Sequence, residues 1–229
     1  TPGRRFHSLE DSSLNAWVKL YRPDESSSNT SISYYLKGGI VFFALNSLLA
    51  EVGKGINDLL DKLWQRYLAN PEMGVEDTEV YQMIEDISNF EIREKFETMI
   101  QTTDELDLGY ISKSVGLTLK YTDENKVIFG FTPKYKDERV FIGNVQLDGP
   151  AYKSGLNAED EIISIDGIRL TKANFTDVEK RLLTDRKYKV QVSRLGVMTI
   201  IDYLPENGLK MIQEVQISDE KLLKKTMGI

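Results

Sequence analysis

The chain contains no cysteine and a single histidine, His7, in 229 residues. Without cysteine there are no disulfides, no thiolate catalysis and no cysteine-held metal, and a reducing, cytoplasmic setting is the expectation. With one histidine, no H-E-x-x-H zinc motif can exist, and a Ser-His-Asp triad would have to use His7 without any G-x-S-x-G elbow. His7 itself reads as a surface or packing residue. Long apolar runs are missing too. The run 40–50 is shorter than the ~20 residues that cross a bilayer, and Lys37 and Asn46 disturb it, so no membrane partner is expected. Positive charge is scarce at the start: residues 1–108 carry 19 acidic and 10 basic side chains, against 17 and 19 in residues 109–229. With no basic stripe, a nucleic-acid partner is not expected. The chain opens TPGRR rather than with Met, and is expected to be a segment of something longer.

What is present changes period along the chain. To about residue 108 apolar residues recur at three and four positions. Leu14, Trp17, Val18 and Tyr21 predict a helix ending before Pro23, and DESSSNTS supplies caps for a helix through Tyr35 and Leu49. Three more amphipathic helices are marked by Leu59, Leu60, Leu63, Trp64 and Tyr67; by Val80, Met83, Ile84 and Ile87; and by Phe90, Ile92, Phe96 and Ile100. Acidic residues 76, 77, 79, 85 and 86 read as a solvated helix face. The Gly53-Lys54-Gly55 triplet lacks phosphate-loop spacing and reads as a helix C-cap. The sequons beginning at Asn29 and Asn174 read as helix caps.

After Gly109 the period becomes two. Alternating segments predict strands over 117–121, 127–131, 140–145, 161–165, 187–193 and 198–203, punctuated by the turns TDEN, KDER and LDGP. One helix is expected over 175–183. The tail repeats this grammar with a strand, LKMIQEVQ, and a helix capped by Ser218. The fold class is therefore α plus β and multidomain: a helical bundle over 1–108, a small β-rich domain over 109–205 and a strand–helix tail over 206–229.

The segment GPAYKSGLNAEDEIISIDGIRL, 149–170, resembles a PDZ domain in the order of its Gly-Pro-Ala helix start, Gly-Leu turn, Asp-Glu-Ile strand and Asp-Gly turn. Upstream, Ile128, Phe129, Gly130 and Phe131 resemble the PDZ carboxylate-binding loop, in which a glycine leaves room for a peptide terminus. Downstream, NFTDVEKRLL resembles the helix forming the other wall of the groove, with Phe175 at its first position. The resemblance implies a peptide partner, held by a C-terminal carboxylate and preferring an apolar residue two positions before the end. Pro133, two residues past the loop, lacks the N–H that the strand would offer a ligand. The alternative is that Phe129 and Phe131 are core aromatics and the groove takes no peptide.

The first half, with YRPDE, SYYLKG and LWQRY, resembles the C-terminal helical part of the thermolysin-like catalytic region in the glycyl aminopeptidase family of gluzincin metallopeptidases, where a PDZ domain follows. That resemblance implies a zinc-dependent peptidase. It matches Tyr35-Leu36-Lys37-Gly38 to the family's Y-x-K-G element, whose tyrosine hydroxyl donates to the oxyanion of the tetrahedral intermediate. Gly38 and Gly39 would let the helix lie close to the cleft. A tyrosine suits this as a neutral donor at pH 7. The family's zinc ligands precede the region that this chain resembles. The expectation is accordingly a C-terminal peptidase portion holding no metal itself, the zinc belonging to the parent enzyme. The alternative is a non-catalytic, PDZ-containing binding or scaffold protein.

Overall fold

The computed structural model describes residues 1–123 and 126–228, so the last two residues of the TDEN turn lie outside the described residues. Helices α1 (Leu9–Leu14), α2 (Ala16–Lys19), α3 (Ser27–Thr30), α4 (Tyr34–Glu51), α5 (Ile56–Ala69), α6 (Asp77–Ile87), α7 (Phe90–Gln101) and α8 (Leu108–Ser114) precede strands β1 (Leu117–Tyr121), β2 (Val127–Ile128), β3 (Phe131–Lys136) and β4 (Arg139–Val145). Next come α9 (Pro150–Ser154), β5 (Glu161–Ile165), β6 (Ile168–Arg169), α10 (Phe175–Glu179), β7 (Tyr188–Arg194), β8 (Val197–Tyr203), β9 (Glu206–Asn207), β10 (Ile212–Ile217) and α11 (Glu220–Met227). A helical half followed by a β-rich half agrees with the α plus β expectation.

Two compact units form, and they are drawn along other lines than 1–108, 109–205 and 206–229. One comprises Thr1–Gly3, Tyr21–Ser31 and Tyr121–Ile212; the other Arg4–Leu20, Ile32–Lys120 and Gln213–Ile229. The physical reason is pairing far apart in sequence. β1 pairs with β10 in a two-stranded sheet rather than joining the PDZ strands. The N–H groups of Ser218 and Asp219 donate to Gly116 O at 2.8 and 3.0 Å.

In the helical unit, α4 is the central element. Ser33 caps it, accepting from Leu36 N, two residues beyond the DESSSNTS stretch that was expected to supply the cap. The helix ends where Gly53 turns left-handed, φ +73°, and Lys54 N reaches back to Leu49 O at 2.9 Å, the cap read from the Gly-Lys-Gly triplet. Val41, Leu45, Leu48 and Leu49 pack with Leu59, Ile84, Ile92 and Phe96 from α5, α6 and α7. Asn46, buried in this apolar helix, is fully used: its amide donates to Thr226 O in α11 at 3.1 Å, and its oxygen accepts from Ile56 N at the start of α5 at 2.8 Å. By length and composition the stretch Ser27–Glu51 is apolar enough to cross a membrane, where the sequence reading saw no such segment; 39% of its most apolar window is buried within the protein.

Two expectations for this region need correction. The stripe Leu14, Trp17, Val18 and Tyr21 is exposed, Trp17 to 80%, while Ser8, Ser12 and Ala16 face inward. The tail helix is capped by Asp219, which accepts from Leu222 N, and not by Ser218.

The other unit is built on a sheet ordered β3-β4-β5-β7-β8, with β6 paired to β5. All its pairings are antiparallel. β2 pairs separately with β9. Its core gathers Phe129, Val140, Ile142, Leu156, Ile162, Val190, Val192 and Tyr203 with α9 and α10 closing over them. Asp160, 1% exposed at its side chain, is held by Arg194 through Nε at 2.8 Å and Nη2 at 2.7 Å and accepts from Asn157 N at 2.9 Å. The predicted strand over 127–131 is broken at 129–130, and the predicted helix over 175–183 ends at Glu179. Asn29 is no helix cap. Its amide donates to Val145 O at 2.7 Å and accepts from Leu147 N at 2.9 Å, latching the segment 21–31 to the end of β4.

Candidate functional site

The peptide groove predicted from the sequence would lie between β3 and α10. β3 is the terminal strand of its sheet, paired on one side only, with β4. Such an edge leaves backbone groups for an added strand. The ladder with β4 shifts register between Thr132 and Pro133, so the proline sits at an irregularity of the edge, as prolines in sheets do.

The loop 128–131 enters this edge through a left-handed glycine. Gly130 has φ +75°, and a Cβ there would stand 2.6 Å from Pro150 Cδ, so no other residue fits without displacement. The loop's carbonyls are held from behind. Tyr203 Oη lies 3.1 Å from both Ile128 O and Phe129 O, and Gln146 N donates to Gly130 O at 2.9 Å. Burial, with the nearby Glu179 and Glu206 carboxylates, pushes the Tyr203 phenol far above its ordinary pKa, keeping it a neutral donor.

The four loop residues and Phe175 are brought together. Phe129 is 1% exposed and Phe175 is buried. The Phe175 ring centroid lies 5.0 Å from Phe129, 6.0 Å from Phe131 and 6.2 Å from Tyr135. The side chains of Phe129 and Phe175 thus belong to the core, while Phe131 and Tyr135 extend the aromatic surface along the strand. Ile128 pairs with Glu206 in β9. Three contributors were not foreseen: Tyr203 and Gln146, distant in sequence, and Glu179. Phe129 N donates to Glu179 Oε1 at 3.5 Å. Glu179 lies four residues after Phe175 on one helix face, a spacing that was visible in the sequence.

Tyr35 lies in the helical unit, in the first turn of α4. It is 61% exposed, and its ring stacks on Tyr34 at 4.2 Å. Leu36 beside it is exposed as well. Lys37 turns inward, donating to Thr102 O at 3.4 Å; burial lowers its pKa, opposed by Glu105 and Asp104. A Cβ on Gly39 would meet nothing within 4 Å, and one on Gly38 only Leu9 at 4.0 Å. Among the described residues, nothing makes the close approach expected at these glycines. His7 accepts from Lys19 Nζ at 2.7 Å through Nε2. The donor set does not fit zinc: with one histidine and no cysteine, the described residues hold no group of three metal-ligating side chains.

Comparison with known proteins matches each half. A family model described as M61 glycyl aminopeptidase matches residues 1–41, which include Tyr35, and a PDZ domain model matches residues 104–193. No curated protein matches. Among solved structures, an aminopeptidase N family protein from Idiomarina loihiensis superposes with a TM-score of 0.86 at 20% identity, over 98% of this chain and 41% of that one. This chain thus spans about two fifths of that protein's length. An HtrA-type protease solved with a decapeptide aligns over 37% of this chain and 30% of its own, at 18% identity and a TM-score of 0.35. The chain resembles the C-terminal part of a glycyl aminopeptidase family protein, its PDZ domain included.

Proposed function

We propose that this chain is the C-terminal portion of a zinc-dependent aminopeptidase, in which the helical unit forms a wall of the active site and the PDZ unit engages a peptide. The observation carrying this reading is Tyr35: it lies inside the stretch matching the glycyl aminopeptidase family and is presented at the exposed start of α4. A phenol there is a neutral donor on an apolar stem, suited to meet the oxyanion that develops on a substrate carbonyl. Residues outside this chain would hold the zinc. The exposed Leu14, Trp17, Val18 and Leu36 support the reading, since an apolar face of this size is what a neighbouring part of a catalytic region covers. In the PDZ unit, the Phe129–Phe131 backbone would receive the end of an extended apolar peptide laid along β3, weakly, because Pro133 lacks one donor.

The test is Tyr35→Phe in the full-length enzyme. We expect kcat to fall by ~10²-fold or more with fold and zinc content unchanged, since only a transition-state donor is removed. An unchanged kcat would return Tyr35 to helix packing and favour a binding protein without catalysis.

A further inference from the structure

We propose that Glu179 is a specificity-determining residue of the PDZ groove: its carboxylate occupies the loop amide that would receive a ligand's terminal carboxylate, and so holds free C-termini to weak binding. The inference rests on the groove reading above and concerns what that groove selects.

The loop 128–131 offers its amides to the open edge of the sheet. Phe129 N already faces an acceptor within the chain, Glu179 Oε1 at 3.5 Å. Phe131 lies opposite Val145 in the ladder with β4, and because Gln146 N donates to Gly130 O this pair is of the non-hydrogen-bonded kind, so Phe131 N points away from β4. Among the described residues no partner for Gly130 N is found, so a ligand would meet the Gly130 and Phe131 amides next to a fixed negative charge. An incoming carboxylate must displace Glu179 or sit beside it, and like charges a few ångströms apart are repelled most where water is thin. Water is excluded on the inner side of the loop, where Tyr203 is fully buried and feels the Glu179 charge. The other nearby acid, Glu206, is neutralised by Lys153 at 2.7 Å, whereas Glu179 has no ion pair among the described residues. An uncharged peptide end escapes this repulsion and can still lie along β3. A groove with these features takes an amidated or internal apolar segment as readily as a free terminus.

The experiment titrates the intact chain with one apolar hexapeptide in two forms, free acid and C-terminal amide, followed by backbone amide shifts at Phe129, Gly130 and Phe131. For the wild type we expect the free acid to bind no better than the amide. Glu179→Gln keeps size and acceptor but removes the charge. It should tighten the free acid on the order of tenfold, the scale of one charge-assisted contact, and change the amide by less than twofold. Glu179→Ala should act in the same direction, which guards against an effect peculiar to glutamine. If the free acid binds the variants no more tightly than the wild type, or if the wild type already prefers it, the assignment of Glu179 is overturned while the groove stands. If neither peptide shifts these amides in any of the three proteins, the groove reading itself fails and takes this inference with it.

Discussion

The sheet-based unit closes its core around fourteen buried side chains, Phe129 to Tyr203, whereas the helical unit, the longer of the two, gathers a cluster of eight. The helical unit also leaves Leu14, Trp17, Val18, Leu36 and Trp64 in solvent. The sheet unit has comparable exposure along β8, at Val197, Met198 and Ile200, and outside its core strands at Leu195, Ile168, Leu183 and Met211. The contrast comes from how each architecture covers its apolar faces. A twisted sheet roofed by α9 and α10 encloses its inner face with its own chain. Short helices such as α1 and α2 bury one narrow stripe each, and here the inward stripe is the small, polar one. The sheet unit resembles a finished module. The helical unit leaves more of its apolar helix faces uncovered, the candidate Tyr35 at the start of α4 among them.

The sharpest way to break that comparison is to attack the polar anchor on which the sheet unit depends. Asp160→Ala would leave Arg194 without its carboxylate and Asn157 N without its acceptor at a buried position. We expect a loss of about 2–4 kcal/mol in the unfolding free energy of the sheet unit, since three hydrogen bonds to a buried carboxylate are lost while Arg194 keeps Gly155 O and some solvent, measured by denaturant titration. A loss below ~1 kcal/mol would show that its closure does not rest on this pair.

Glycine substitutions sharpen the comparison from both sides, because the same change should have opposite signs. Gly130→Ala forces a side chain into a left-handed conformation and against Pro150, and should destabilise the sheet unit by about 2–4 kcal/mol. Gly39→Ala lies inside α4 with nothing within 4 Å, and should stabilise the helical unit by about 0.5–1 kcal/mol. If Gly39→Ala destabilised this chain, the face of α4 at that glycine would be covered after all.

Much of this was legible in the sequence because local pattern and tertiary role agree. The three-four spacing of Val80, Met83, Ile84 and Ile87 marks a helix, and those residues pack on the helical core. The alternation in 161–165 and 187–193 marks strands that lie centrally in the sheet. What escaped depends on partners remote in the chain. β1 reads like its neighbours yet pairs with β10, almost a hundred residues on. The stripe on α1 and α2 has the right period, but period says nothing of which side finds a cover. In the groove, Phe129, Phe131 and Phe175 could be placed through motif order, and their stacking follows. Tyr203 could not, since no local signal ties a strand-end tyrosine to carbonyls over seventy residues upstream.

The smallest expected effect concerns acid. Glu161 in β5 accepts from Arg139 Nε at 2.6 Å, and this hydrogen bond lowers its pKa, desolvation opposing and the Arg139 charge assisting. A carboxylate whose folded pKa is depressed contributes stability that is fully present above the unfolded value, about 4.5, and is lost as pH falls through the lower folded value. In the helical unit Glu79 is lowered in the same direction, first by Glu76 N and then by Arg66, but it is solvent-exposed. Its share is therefore screened by water and salt. The sheet unit should then show the clearer acid dependence at a single site. Glu161→Gln should weaken it slightly at pH 7, and the gap between variant and wild type should narrow as pH falls below about 4.5, toward pH 3. Denaturant midpoints at the two pH values measure this. A gap that persisted unchanged at pH 3 would mean that the glutamate acts through packing against its neighbours in the sheet and not through its charge.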